Sequence, residues 1–250
     1  MSTVLYEHPL NERIRNYLKL EQLFAQAYTC LNSDTSITIC NHVFFNALFS
    51  IVDTLERNDV RGDLIKDIEK LEQNLVVWSQ APDVDTSALE KNLAQTVQLI
   101  GNLRMTIPKW NELKEDKLLV SLKQRFAIQG GSSSFDLPQL HFWLHQGDDQ
   151  AKADIKHWLS LLTDISSSLA LILKFIRLRA DFQTIDAESG FYQDNGEGLL
   201  LLRIRLSTKV AYYPTISGNK FRYSIRFMLP CKQTGRRYAN QATVFELARC

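Results

Sequence analysis

KFRYSIRFM, residues 220–228, sets Lys220, Arg222 and Arg226 in alternation with Phe221, Tyr223, Ile225 and Phe227. A strand's side chains point to opposite faces with a period of two, so this run predicts a strand with one cationic and one apolar face. LLRIRLSTK, residues 201–209, repeats the pattern, with Arg203, Arg205 and Lys209 opposite Leu202, Ile204 and Leu206. A half-covered antiparallel sheet ordinarily carries a polar second face, but one of mixed sign. Here nine cations fall between Leu199 and Asn240 with no Asp or Glu among them, in a chain whose formal net charge is +1. Like charges without an acid cost self-repulsion and point to a surface that receives an anion; an ordinary solvated sheet face is the competing reading.

Outward from these runs, the grammar after Ala180 is that of a β region. Gly190, DNGEG, Pro214, SGN and TGRR separate segments rich in Phe, Tyr, Ile and Leu, predicting four or five short antiparallel strands that end with TVFELAR. Residues from about 9 to 180 read as helices. The first opens at Pro9 and runs to about Leu31, with Leu10, Ile14, Tyr17, Phe24, Tyr28 and Leu31 on one seam. A second covers about 37–57. A third follows an Asp59 cap, carries Val60, Leu64, Ile68, Leu71, Leu75 and Trp78 on one face, and breaks at Ala81-Pro82. A fourth starts near Asp85 with Leu89, Leu93, Val97, Ile100 and Leu103, and a fifth spans Pro108 to Ile128. After the loop QGGSSSFD comes a short helix at Pro138 capped by Asp136 or a nearby serine, then a long one from Asp148 to Ala180, bent near Ser166–Ser168.

The fold expected is therefore α+β: an N-terminal helical domain, residues 1–180, packed with a smaller C-terminal antiparallel β domain, residues 181–250. A β region of about 70 residues has little core of its own, so Phe221, Tyr223, Ile225 and Phe227 are expected to cover the helical domain.

Composition is that of an ordinary soluble protein, 45% hydrophobic and 23% charged. The charged first thirty residues do not read as a signal peptide, and no stretch approaches the roughly 18 uninterrupted apolar residues of a membrane span. Cys30, Cys40, Cys231 and Cys250 show no CxxC spacing and read as reduced thiols of a cytoplasmic protein. His141 and His145 stand one helical turn apart without HExxH or an obvious third ligand, so no metal or other cofactor is expected. The GGSSS loop lacks the GK[ST] of a phosphate-binding P-loop. Without GxSxG, an activated Cys–His pair or a carboxylate dyad, the chain does not read as an enzyme.

YEHPLNERIRNYLKLE, IQGGSSSFDLPQLHFWLH, GFYQDNG and ISGNKFRYSIRFMLP together resemble the ZapD family of bacterial cell-division proteins, over essentially the whole chain. The resemblance implies a non-enzymatic cytoplasmic homodimer at the mid-cell division ring, a helical domain followed by a β-domain, without membrane insertion or nucleic-acid binding. It implies a protein that binds the C-terminal tail of FtsZ, bundles FtsZ protofilaments and lowers FtsZ GTPase turnover. By motif position, the family's tail-binding cations fall at Lys19, Arg57, Lys117, His141, Arg222 and Arg226, in a basic pocket where helical and β parts meet. Arg203, Arg205 and Lys220 are possible additions to the cationic face. Lys stands at 19 and 117 where the family has Arg, keeping the charge but not the planar fork. CKQTGRRYANQAT departs from the family pattern, so Arg236 and Arg237 receive no role by resemblance. The competing function is nucleic-acid binding, with Arg203, Arg205, Arg222 and Arg226 on phosphates and aromatics stacking on bases.

Overall fold

The computed structural model describes residues 2–32, 36–80 and 85–250. The chain divides into two compact units: residues 1–18 with 173–250, and residues 19–172.

The smaller unit is built from strands at both ends of the chain. Strand β1 (Thr3–Pro9) precedes the first helix. The remaining strands are β2 (Gln183–Ala187), β3 (Phe191–Asn195), β4 (Leu201–Ser207), β5 (Tyr213–Gly218), β6 (Arg222–Cys231), β7 (Gly235–Tyr238) and β8 (Thr243–Arg249). One sheet has the order β1-β4-β8-β2, and the other the order β3-β6-β5 with β7 also paired to β6; every pairing is antiparallel. The predicted alternation holds. Leu202, Ile204 and Leu206 from β4 meet Tyr223, Ile225 and Phe227 from β6 in one buried cluster with Phe245 and Leu247. Phe227 and Phe245 bring the two sheets together at a ring-centroid distance of 5.0 Å.

Tyr223, Ile225 and Phe227 are buried in the β unit's own core rather than used to cover helices, because a second sheet, completed by β1, supplies the missing apolar layer. Phe221 precedes the start of β6 and is 66% exposed. Pro9 ends a strand instead of opening a helix; Asn11 caps the helix that follows, its Oδ1 accepting from Ile14 N at 2.9 Å.

The larger unit is helical. Its elements are α1 (Glu12–Asn32, which begins in the smaller unit), α2 (Ile37–Arg57), α3 (Val60–Trp78), α4 (Thr86–Leu103), α5 (Glu112–Glu115), α6 (Lys117–Phe126), α7 (Pro138–Leu144), α8 (Asp148–Ser160) and α9 (Thr163–Arg177, which ends in the smaller unit). Asp59 and Asp85 cap α3 and α4 as expected, accepting from Gly62 N and Ala88 N. The break expected at Ala81-Pro82 lies outside the described residues. Trp78 and Val97 point outward, 47% and 55% exposed.

The predicted Pro108–Ile128 helix is broken at Asp116, whose backbone is extended and whose carboxylate accepts from Leu119 N at 3.0 Å and Trp158 Nε1 at 2.9 Å. A short carboxylate offers the backbone an alternative to continuing the helix. Asp136 does not cap α7: Leu137 occupies the cap position without a side-chain bond, and Pro138 removes one of the unpaired N–H groups. The bend in the last helical stretch falls between Ser160 and Thr163, at 62°, not at Ser166–Ser168. Ser168 satisfies its hydroxyl inside α9, on Asp164 O at 2.6 Å.

Helix α2 is long and apolar enough to cross a membrane by length and composition, but more than half of its apolar stretch is buried within the protein. Phe44 and Phe45 face Trp158 and Trp143 in a continuous aromatic core. Cys30 and Cys40 correct the reduced-thiol reading: they form a disulfide between the end of α1 and the start of α2, with Cα atoms 5.7 Å apart, while Cys231 and Cys250 are free thiols.

Candidate anion-binding face

The two cationic runs lie on different sheets, and their outward faces are electrostatically different. On the β1-β4-β8-β2 sheet, carboxylates arrive from strands distant in sequence. Glu7 stands directly across from Arg203 and accepts from its Nε at 2.9 Å, while Arg177 Nη2 donates to the other oxygen at 2.6 Å. Burial alone would raise the Glu7 carboxyl, but the hydrogen bonds and charge of Arg177, then those of Arg203, outweigh it and hold the group below its ordinary range. Arg205 pairs with Glu246 at 3.3 Å and lies over the Phe182 ring at 3.8 Å. The face read as purely cationic is thus internally neutralised at Arg203 and Arg205.

The β6 face is not. Arg222 stands opposite Asn195; Arg226 stands between Phe191 and Thr215. No acid occupies those positions. The ion pairs of this unit include those of Arg15, Arg177, Arg203, Arg205 and Arg249. Arg226 is held by rings instead, 4.3 Å from the Phe191 centroid and 4.9 Å from that of Tyr238. A guanidinium over aromatic faces keeps its fork free for an incoming carboxylate. Lys220 lies over Phe221 at the turn before β6.

Lys19 on α1, Arg57 at the end of α2, Lys117 at the start of α6 and His141 on α7 all belong to the helical unit and are exposed. Arg57 has the favourable dipole position expected of it. The cation next to Lys19 on that face, Arg15, pairs with Glu12 at 3.3 Å. Asp116, next to Lys117, is occupied by its cap and by Trp158. Other helical cations are tied into internal pairs, such as Lys114 with Glu56 and Lys123 with Asp53 and Glu56; Glu56, Lys114 and Lys123 rim an apolar cleft of about 240 Å³. The His141 and His145 rings lie 4.2 Å apart, with His145 Nδ1 against the His141 carbonyl, and no group of three metal-ligating side chains forms among the described residues. Sequence reasoning missed Glu7 and Glu246 as partners of the cationic run, since neither lies within it.

The family model for ZapD, described as a cell division protein, matches residues 18–226. This chain belongs to the ZapD family. The match spans the helical positions Lys19, Arg57, Lys117 and His141, strands β2 to β5, and β6 through Arg226. A curated ZapD of Yersinia enterocolitica is 40% identical over 250 residues, covering 100% of this chain and 98% of the relative. One of Serratia proteamaculans is 37% identical over 250 residues, covering 99% and 98%. Both relatives carry the name Cell division protein ZapD, and a role in cell division comes with ZapD membership.

Proposed function

We propose that this chain binds the C-terminal tail of FtsZ and, as a cytoplasmic homodimer at the mid-cell ring, cross-links and bundles FtsZ protofilaments. It supports ring assembly and lowers FtsZ GTPase turnover without catalysing a reaction of its own. The observation that carries the reading is the β6 face, where Arg222 and Arg226 have no acid opposite them and aromatic rings flank Arg226. Lys19, Arg57, Lys117 and His141 supply further exposed cationic positions, and Lys220 extends the β-face set.

Exposed ion pairs contribute roughly 0–1 kcal/mol each, so one tail binds modestly. Tails are displayed in many copies along a filament. A two-fold dimer that holds two of them raises the effective affinity through local concentration, which turns a weak binder into a cross-linker. The test is co-sedimentation with FtsZ polymers beside a gel shift on generic DNA and RNA, with sedimentation equilibrium for the dimer. Retention in the FtsZ pellet and a dimer support the reading. A chain that shifts nucleic acid and ignores FtsZ, or a strict monomer that still bundles filaments, overturns it.

A further inference from the structure

Arg236 and Arg237 are adjacent in β7, so their side chains leave opposite faces of the sheet. The register decides which is which. Arg237 pairs with Leu229, which packs against the core, whereas Arg236 pairs with Pro230 and Tyr238 with Met228. Positions 228 and 230 fall on the same side of β6 as Arg222, Ser224 and Arg226, with Met228 buried there and Pro230 exposed. Arg236 therefore stands on the same face as Arg222 and Arg226, and Arg237 on the other. Both are exposed, and Tyr238, 59% exposed, lies between Arg236 and Arg226 with its ring 4.9 Å from the Arg226 guanidinium.

The spacing is regular. A strand rises about 3.4 Å per residue, so about 14 Å separates positions 222 and 226, and about 14 Å more leads to 230, opposite Arg236. An extended peptide lying along β6 has the same rise and presents side chains on one side at every second residue. Duplex nucleic acid carries a phosphate every ~3.4 Å along each strand, which would leave most phosphates between these cations unmatched. Three cations with no acid across from them, Ser224 and Gln193 between the first two and the exposed Tyr238 between the second and third, suit a peptide with carboxylates four residues apart, a polar group in the first gap and an apolar one in the second.

We infer that Arg236 is a third cation of the FtsZ-tail strip, and that the tail lies extended along β6 with acidic side chains at every fourth position. This rests on the tail-binding reading given above. The experiment is fluorescence anisotropy of a labelled FtsZ C-terminal tail peptide with the full chain, each variant checked by a thermal melt. Arg236→Glu weakens binding about five- to tenfold, Arg236→Lys less than about twofold, and Arg237→Glu has no effect beyond about twofold. Arg222→Glu and Arg226→Glu, measured in the same series, test the underlying reading separately. If they weaken binding while Arg236→Glu does not, or if Arg237→Glu is as damaging as Arg236→Glu, the strip is wrong and the reading stands. If none of the reversals matters, or the wild type does not bind the peptide, both fall. Two synthetic peptides of one composition complete the test, one with acids at every fourth residue and one with them clustered. Tighter binding of the spaced peptide supports the extended pose, and equal binding overturns it.

Discussion

Arg203 donates to Glu7 across 2.9 Å, joining β4 to a strand 196 residues earlier in the chain. With Arg177 on the second oxygen, one carboxylate organises two guanidiniums in a setting where all three side chains are at most 24% exposed. Removing the anion leaves two partly buried cations together. Glu7→Gln is expected to cost about 2–3 kcal/mol, somewhat less than for a fully buried pair. Urea unfolding measures it, and a cycle with Arg203→Met isolates the pair from the packing.

The same carboxylate sets an acid limb. Its folded-state pKa is depressed, so its contribution is complete above the ordinary carboxylate pKa and is lost as pH falls through the lower folded value. Stability of the wild type should therefore fall below about pH 4.5 more steeply than that of Glu7→Gln. Parallel pH-melting curves for the two proteins would contradict the assignment.

Burial pushes the Tyr223 phenol up to about 12, the opposing hydrogen bond and charge from Arg249 notwithstanding. Arg249 donates to Tyr223 Oη at 2.9 Å and Tyr192 Oη at 2.6 Å, closing one end of the sandwich. The neutral phenol favours the fold, with its contribution complete below the ordinary tyrosine pKa and lost as pH rises through about 12. Tyr223→Phe should cost about 1–1.5 kcal/mol near neutrality and delete the latest-titrating component of the tyrosinate absorbance. A titration unchanged by the substitution would sink this.

Gly190 has φ +64, and a Cβ there would lie 1.9 Å from the Ala239 carbonyl oxygen. Gly198, at φ +77, has open space around the same position. Gly198→Ala should cost about 1–2 kcal/mol from the backbone conformation alone. Gly190→Ala carries that cost plus a clash with backbone and should lower the melting temperature far more. Equal melting temperatures would refute the close approach.

Residues 181–250 alone lack β1, leaving the β4 edge open and Arg203 without Glu7. That fragment should aggregate. A chain joining 173–250 to 2–18 through a crossover linker of about a dozen residues, long enough to run back along β4 from the end of β8 to the start of β1, restores the strand and should melt cooperatively. If the shorter fragment melts as sharply, β1 is dispensable.

For the proposed site, Arg222→Glu and Arg226→Glu should weaken tail binding with little change in melting temperature, because both project from the outward face. Binding should also weaken with salt, since at about 1 M the screening length falls to roughly 3 Å. The gap between wild type and reversals should close accordingly, with Lys232→Glu as the control in the turn after Pro230. Salt-independent binding would argue against a cationic receptor.

Local rules read from the sequence determined much of this protein. The alternation at 201–209 and 220–228 fixed which side chains face the core. Asp59 and Asp85 marked helix starts, and the helical bounds 37–57 came directly from pattern, because caps and period are set by neighbours within a turn. The family resemblance also came from linear strings, and it supplied the candidate cations one by one. What the sequence could not settle is which charges remain free. Glu7 and Glu246 neutralise Arg203 and Arg205 across strand pairings that no local window contains. Likewise, TVLYEHP becomes a strand because β4 offers it an edge, and Tyr223, Ile225 and Phe227 gain their own core because a second sheet lies opposite them. Strand pairing is a long-range choice, made by whichever partner satisfies the backbone and buries the apolar face. Only the tertiary structure could therefore separate the neutralised arginines of β4 from the unneutralised ones of β6.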